Sequence, residues 1–383
     1  MSTCLQTTVE MKTTMKKFML SILAIWMMIS GSRSLAAEKK IEFNRDIRPI
    51  LSENCYACHG PDSGARKAGL RLDTEEGAKS SRKGSSAVVS GKAMESELYK
   101  RIIATDAHEL MPPPKSNKKL DENQKALLKR WIDEGAKWEG HWAFLSVKKP
   151  AVPKAEDAAF VKNPIDNFIL EKQRENSLGH SKEADKITLI RRLCFDLTGL
   201  PPTPEQLKNF LADNSAKAYE TLVDQLLASP HYGERMAVFW LDLVRYADSV
   251  GYHGDQPITV WPFRDWVIQS FNKNIPFTQF TIEQLAGDLL PNATLENKVA
   301  SGYNRLGMMS AEGGVQDREY LAKYAAERVR NLSGVWLGTT LGCAECHDHK
   351  FDPFTTREFY SMEAFFADIT ERVCMAEVIL ALA

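Results

Sequence analysis

Apolar residues recur along much of this chain at the three- and four-residue spacing that places them on one face of an α-helix. One clear example combines Leu127, Leu128, Trp131 and Ile132. Asp121 precedes this face, with Gln124 three residues later, which is a capping-box pattern that begins a helix. Gly135 suits the end of the same helix. Because the chain has no sustained two-residue alternation and no Asn-Gly hairpin pair, we predict a mainly α protein.

Three later segments carry a similar helix-start signal. Thr203 stands three residues before Gln206, with Pro204 between them at the position where a first helical proline is tolerated. The same spacing of capping residues begins at Thr281 and at Thr355. We therefore predict that helices begin at all three threonines. Between the first motif region and these helices, residues 60–91 are rich in Gly, Ser and Lys, and we expect them to form a loop.

The first 37 residues have the pattern of a secretory signal peptide. Two lysines, Lys16 and Lys17, precede an apolar run over 18–29, and small residues follow up to Ala37. That run is shorter than the roughly 20 residues needed to span a bilayer. We therefore predict cleavage after Ala36 or Ala37 and a periplasmic or otherwise exported protein, which contacts the membrane only through the transient signal peptide.

The remaining chain divides into two predicted helical domains. Residues 38–146 form the first, residues 147–164 are a linker rich in Lys, Ala and Pro, and residues 165–383 form the second. The formal net charge of −1 and the lack of a dense basic tract argue against nucleic acid as a partner. Charge does not otherwise identify a partner.

Two distant stretches repeat a cysteine pattern, C-x-x-C-H. Its residues are Cys55, Cys58 and His59 in the first stretch, and Cys343, Cys346 and His347 in the second. Zinc ribbons place their cysteine pairs much closer together, although distant pairs can meet in a fold. A redox dithiol is expected in a βαβ context that is missing here. The pattern best fits two covalently attached c-type haems, with two thioether bonds and a proximal histidine at each site.

The sequence offers one clear candidate for the sixth iron ligand at the first site and several uncertain ones at the second. Met111 precedes three prolines that stiffen its loop, so we predict that its thioether binds the first iron, with His108 as the alternative. At the second site, His349 lies too close in sequence to His347 to reach the opposite haem face. We expect His349 to be solvent-exposed or to support the site indirectly. The remaining candidates are Met308, Met309, His231 and His253.

Longer stretches resemble a known family. "FNRDIRPILSENCYACHGPD", "LMPPPK" and "LLKRWIDEGAKW" are similar to the planctomycete-type cytochrome c domain. "LTGLPPTPEQ", "HYGERMAVFWLDLVRYADS" and "WLGTTLGCAECHDHKFDP" resemble the helical domain that follows it in the same multi-haem family. The resemblance covers about residues 41–372. It implies an exported multi-haem protein, with Met111 completing the first site.

The resemblance also bears on the second site and on the end of the chain. Family members tend to carry Arg-x-x-Met followed by Glu-Gly-Gly, matched here by Arg305, Met308, Glu312, Gly313 and Gly314. This match ranks Met308 first among the uncertain ligands. Family members also continue into a further domain, whereas this chain departs from the pattern near Val373. We therefore expect a truncated product of a frameshift or premature stop.

The leading prediction is an exported carrier that moves electrons through two covalently bound haems c, in exchange with an unidentified redox partner protein. One alternative is a di-haem peroxidase or oxidase whose second iron keeps an open position. Another is a non-redox secreted binding module. Enzymatic activity stays open, and a carrier is preferred over a catalyst.

Overall fold

The computed structural model describes residues 40–82, 84–154, 157, 159–252, 255–310 and 316–369. The predicted signal peptide and the chain beyond residue 369 lie outside the described residues. The prediction of a mainly α protein is confirmed, since the described residues contain fifteen α-helices and a single pair of two-residue strands.

The α-helices are, in chain order, Arg48–Asn54, Tyr56–His59, Glu75–Lys79, Glu97–Ile102, Glu122–Asp133, Pro164–Glu175, Lys186–Leu197, Pro204–Ala212, Ala218–Leu227, Pro230–Leu243, Trp261–Asn272, Phe277–Ala286, Leu295–Ala300, Asp317–Leu332 and Thr356–Glu363. The strands Ser81–Arg82 and Ser85–Ser86 pair antiparallel. Short 3₁₀ helices cover Ala93–Glu95, Pro114–Ser116, Trp142–Phe144, Gly287–Leu289, Ser301–Arg305, Leu341–Glu345 and Ala364–Phe366. Single π turns cover Phe43–Ile47 and Ser333–Leu337. The expected loop over 60–91 therefore contains a short helix and a minimal hairpin.

The described residues form two compact units, of which the first comprises those within 40–54 and 79–144. An aromatic contact organises its core, because the Phe43 ring lies 4.3 Å from Trp138 and 5.6 Å from Trp131 between ring centres. The helix Glu122–Asp133 begins as predicted. The Asp121 carboxylate accepts from the Gln124 backbone, and the Gln124 side chain accepts from the Asp121 backbone.

The second unit comprises the described residues within 55–78 and 145–369. One buried cluster of this unit packs the helices Pro230–Leu243, Trp261–Asn272 and Phe277–Ala286 against one another. A buried hydrogen bond crosses this cluster, in which the Trp240 indole donates to the Gln284 side chain over 2.8 Å. This bond satisfies two polar groups that would otherwise be costly to bury.

Two of the three further helix starts are confirmed. Thr203 and Thr355 each cap a helix through a complete capping box. The prediction at Thr281 is wrong, because that helix begins at Phe277. Thr281 lies inside the helix, and its hydroxyl donates to the Phe277 carbonyl at 2.9 Å.

A further cluster in the second unit supports the second cysteine motif. It includes Val329 from the helix Asp317–Leu332, Leu341 and Ala344 from the 3₁₀ helix Leu341–Glu345, and Phe359 from the helix that follows. The motif is therefore attached to the core through the apolar residues that surround its cysteines. Across the described part of the chain, no helix combines the length and apolar character needed to cross a bilayer.

Candidate functional site

The first cysteine motif is a single helical turn. Cys55 is the N-cap of the helix Tyr56–His59, and its carbonyl accepts from the Cys58 and His59 amides at 3.1 and 2.8 Å. Cys58 is exposed, whereas Cys55 and His59 are half-buried. The turn therefore brings both cysteines and the histidine into one local constellation, as the C-x-x-C-H pattern predicts.

The chain that follows this turn folds back onto it. The Lys67 amide donates to the Cys58 carbonyl at 2.8 Å, and the Leu72 amide donates to the His59 carbonyl at 2.7 Å. The Arg66 guanidinium donates to the Gly60 carbonyl at 2.9 Å. These hydrogen bonds occupy the backbone carbonyls of residues 58–60 and hold the backbone of the motif in place. The chemistry of the motif therefore depends on its side chains.

Met111 and His108 belong to the first compact unit, whereas the cysteines of the first motif belong to the second. Met111 is half-buried, and its amide donates to the Arg101 carbonyl at 3.1 Å. His108 is exposed in a turn that Asp106 stabilises by accepting from the His108 amide. The assignment of Met111 as the first sixth ligand stays a prediction.

The second motif lies on the 3₁₀ helix Leu341–Glu345 and the residues just after it. Cys343 and Cys346 are exposed thiols, and His347 is exposed beside them. The His347 Nδ1 lies 2.8 Å from the Asp348 carbonyl oxygen. Since a carbonyl can only accept, Nδ1 carries the proton, and the Nε2 lone pair is available to a metal. This tautomer is the one that a proximal haem ligand requires.

His349 is buried, so the expectation that it is solvent-exposed is wrong; its exposed fraction is 4%. Its Nδ1 accepts from the Phe351 and Asp352 amides at 3.2 and 2.9 Å, and its Nε2 lies 2.9 Å from the Thr340 hydroxyl. Burial lowers the pKa of this imidazole, which favours the neutral form. His349 therefore fixes the loop that carries the motif. The alternative expectation, that it supports the site indirectly, stays a prediction.

Both motifs fall within the second unit, and their backbones come together. Gly60 follows His59 directly, and a Cβ built on Gly60 would lie 3.0 Å from the Lys350 carbonyl oxygen. The four motif thiols nevertheless do not converge on one point. The described residues contain no group of three or more His, Cys, Asp or Glu side chains placed to hold a metal ion.

Met308 lies at a cavity of about 320 Å³ in the second unit. Its described lining comes from seven residues between Arg245 and Ile258, from 306–308 and from Glu327; Cys343, Cys346 and His347 are not among these described residues. Met308 is half exposed and packs over Gly251. Its role as a ligand of the second iron stays a prediction.

The other candidate ligands have local roles. Met309 donates its amide to the Val250 carbonyl at 2.8 Å, and the His231 side chain pairs with Glu234 at 2.7 Å. His253 lies outside the described residues, as do Glu312, Gly313 and Gly314.

A chain of ion pairs connects the cavity to the second motif, and sequence analysis missed it. The Arg245 guanidinium donates to Glu327 at 2.6 Å, and Arg330 donates to the other Glu327 oxygen at 3.0 Å. Arg330 also pairs with Glu345, the residue directly before Cys346. Glu327 and Arg330 share one helix at i, i+3 spacing, which sequence shows, but their partners are distant along the chain.

Residues 55–115, which include the first motif, match the family described as planctomycete cytochrome C, so this part of the chain is similar to a cytochrome c domain. Residues 164–371, more than half of the chain, match the family PSCyt2, described as a protein of unknown function (DUF1549), and the chain belongs to this family. The resemblance identified from the sequence motifs is thus confirmed, in the expected order. Searches of curated proteins and of solved structures gave no match.

Proposed function

We propose that this protein is an exported di-haem c-type cytochrome that carries electrons between partner proteins. The observation that carries the proposal is the second motif, where two exposed thiols, Cys343 and Cys346, accompany a histidine whose protonated Nδ1 is held by a backbone carbonyl. Thioether attachment needs accessible thiols, and iron ligation needs a free Nε2. The residues present therefore fit haem c.

At the first site, Cys55 and Cys58 would hold the haem and His59 would provide the proximal ligand. The match to the cytochrome family covers these residues and extends to 115, so that it includes Met111. We assign Met111 as the sixth ligand there. A thioether ligand stabilises the reduced iron and raises the potential of the site relative to a second histidine.

Acidic residues lie beside the second motif. Glu345 lies within the motif and pairs with Arg330, and Asp348 follows the proximal histidine. Carboxylates close to a redox centre favour its oxidised, more positive state. With Met111 at the first site and acidic residues at the second, we assign the higher potential to the first haem.

Bound haem would supply reversible one-electron redox chemistry. The chain itself would set the potentials, keep the proximal imidazoles oriented and present a surface to redox partners. An exported location agrees with the predicted signal peptide, and covalent haem attachment takes place outside the cytoplasm in bacteria. We also propose that an unidentified redox protein exchanges electrons with this chain.

One observation favours a di-haem peroxidase or oxidase as a second candidate. Met308, the first-ranked sixth ligand of the second iron, lines a cavity to which the motif residues do not contribute. An iron without a protein sixth ligand could bind a small molecule.

Carbon monoxide distinguishes the two candidates. The reduced carrier, with both irons six-coordinate, is expected to keep its absorption spectrum when carbon monoxide is added. A spectral change that accounts for one haem per chain would contradict the carrier and support the enzyme. The Met111→Leu variant is the matched control, because opening the first site should create carbon monoxide binding there.

A further inference from the structure

Glu363, the last residue of the helix Thr356–Glu363, has a buried carboxylate oxygen without a hydrogen-bond partner. The residue as a whole is half-buried, but its Oε2 accepts no hydrogen bond from the described part of the chain. Burying an unpaired polar atom costs free energy, and the cost is larger when the group is charged. The position therefore favours the neutral acid over the carboxylate.

Two further features of this position disfavour a negative charge. Glu363 lies at the C-terminal end of its helix, where the partial negative charge of the helix dipole opposes a carboxylate. The carboxylate of Glu345, from the 3₁₀ helix of the second motif, repels it as well. Burial raises the pKa of Glu363, and the charge of Glu345 raises that pKa further.

The neighbouring arginines are already paired with other carboxylates. Arg330, on the helix that packs against this one, pairs with both Glu345 and Glu327. Arg245 pairs with Glu327 as well. These two cations therefore balance two carboxylates, and within the described residues Glu363 takes part in no ion pair.

The charged groups nearest to Glu363 along the chain do not compensate it either. Arg357 and Glu358 lie in the first turn of the helix, at the end opposite to Glu363, and Glu358 is used in the capping box. The 3₁₀ turn Ala364–Phe366 that follows carries no charge. Asp368, beyond that turn, is exposed and negative. The charge of Glu363 therefore depends on the motif beside it.

The second motif lies directly against the helix of Glu363. Apolar residues of both pack into one buried cluster, and the Tyr360 hydroxyl donates to the Glu345 carbonyl at 3.1 Å. Glu345 in turn directly precedes Cys346, which would hold the second haem by a thioether bond. A charge added at that haem would therefore act on Glu363 through partly buried protein, where Coulomb interactions are screened less than in water.

We propose that Glu363 binds a proton when the second haem is reduced and releases it when that haem is oxidised, so that this protein couples proton transfer to electron transfer. On reduction, one electron passes from a redox partner protein to the iron, and one proton passes from solvent to the Glu363 carboxylate. On oxidation, both leave again. The proton balances the negative charge that the electron adds. This inference rests on the proposed function, because it requires a haem at the second motif.

The midpoint potential of the second haem, measured against pH in the haem-loaded protein, tests this coupling. We expect reduction to increase the proton affinity of Glu363 about tenfold, which is a typical coupling between two sites. The potential should then fall by about 59 mV in total as the pH rises through the titration of Glu363, because a tenfold change in an equilibrium constant has this size for one electron. The fall should lie above the ordinary range of glutamate, because the pKa of Glu363 is raised.

Two variants assign the effect to one carboxylate. Glu363→Gln keeps the size of the side chain but removes its exchangeable proton, so the fall in potential should be lost. Asp368→Asn, at an exposed carboxylate in the same unit, is the matched control and should retain the fall. An equal fall in the parent protein and in Glu363→Gln would overturn the proposal.

Infrared difference spectroscopy between the oxidised and reduced protein observes the proton itself. The carbonyl stretch of a protonated carboxyl group should appear on reduction of the parent protein and should be missing in Glu363→Gln. The same band in both proteins would assign the proton to another group and would also overturn the proposal.

Stability against pH provides a measurement that does not depend on the second haem. Because the folded chain holds the Glu363 proton to a higher pH than the unfolded chain does, the free energy of unfolding should fall as the pH rises between the two pKa values. Denaturant titration should show this fall in the parent protein and not in Glu363→Gln. Identical pH profiles would contradict the resistance of Glu363 to ionisation and would overturn the proposal. A chain without a second haem would instead contradict the proposed function.

Discussion

The carbonyl oxygen of Lys350 lies 3.0 Å from the point where a Cβ on Gly60 would stand. Gly60 directly follows the first C-x-x-C-H motif, and Lys350 lies three residues after the second. The backbones of the two motif regions therefore touch at a position where no side chain fits. Its φ of −115° is open to any residue, so close packing is the reason for glycine here.

Replacing Gly60 by alanine should destabilise the protein. The new methyl group would be too close to two backbone oxygens, those of Lys350 and Tyr56, and backbone cannot move aside as a flexible side chain can. We expect a loss of about 1–3 kcal/mol in the free energy of unfolding, measured by denaturant titration. Gly64→Ala is the control, because its nearest atom is an Asp62 side-chain oxygen at 3.4 Å. Equal stability of the two variants would show that the Tyr56 and Lys350 oxygens do not exclude a side chain at Gly60.

The buried imidazole of His349 should be essential to the second motif. His349→Ala leaves the Phe351 and Asp352 amides without their acceptor, at a cost of about 1–3 kcal/mol for a buried unsatisfied group. We expect a lower midpoint of thermal unfolding and less haem on Cys343 and Cys346. His231→Ala, at an exposed histidine paired only with Glu234, should leave both unchanged. Full haem attachment in His349→Ala would argue against the loop-fixing role.

Met111 should control the potential of the first haem. Met111→Leu keeps the size and apolar character of the side chain but removes the sulfur, so the midpoint potential of that haem should fall. Potentiometric titration followed by absorption spectroscopy measures the change. Met94→Leu, at an exposed position in the same unit, is the control and should leave the potential unaltered. An unchanged potential in Met111→Leu would assign the sixth ligand to another residue.

The sequence predicted local features well where a short pattern determines the structure. The capping boxes at Asp121, Thr203 and Thr355 formed because their side chains reach only three residues along the chain. Thr281 shows the limit of this approach. Its spacing to Gln284 is the same, but the helix begins four residues earlier, and Gln284 is buried against Trp240 instead. Tertiary packing therefore determined that this helix begins at Phe277 and not at Thr281.

The parts of the site that sequence did not predict depend on contacts between distant residues. The identity of Arg245 does not reveal its positive φ, and the partners of Glu327 and Arg330 become visible only when helix and loops meet. The motif residues themselves were found because covalent haem attachment imposes a fixed local spacing. The burial of His349 was not predicted, because no local sequence pattern distinguishes a buried histidine beside a motif from an exposed one.

Two haems covalently attached to this chain would add their mass to the protein, and intact-mass spectrometry measures that addition. The protein would be produced in a host with haem c maturation machinery, together with the Cys55→Ala and Cys343→Ala variants. We expect the mass of two haems on the parent chain, and the weakening or loss of one haem in each variant. A parent chain that carries one haem, lost only in Cys55→Ala, would contradict this expectation.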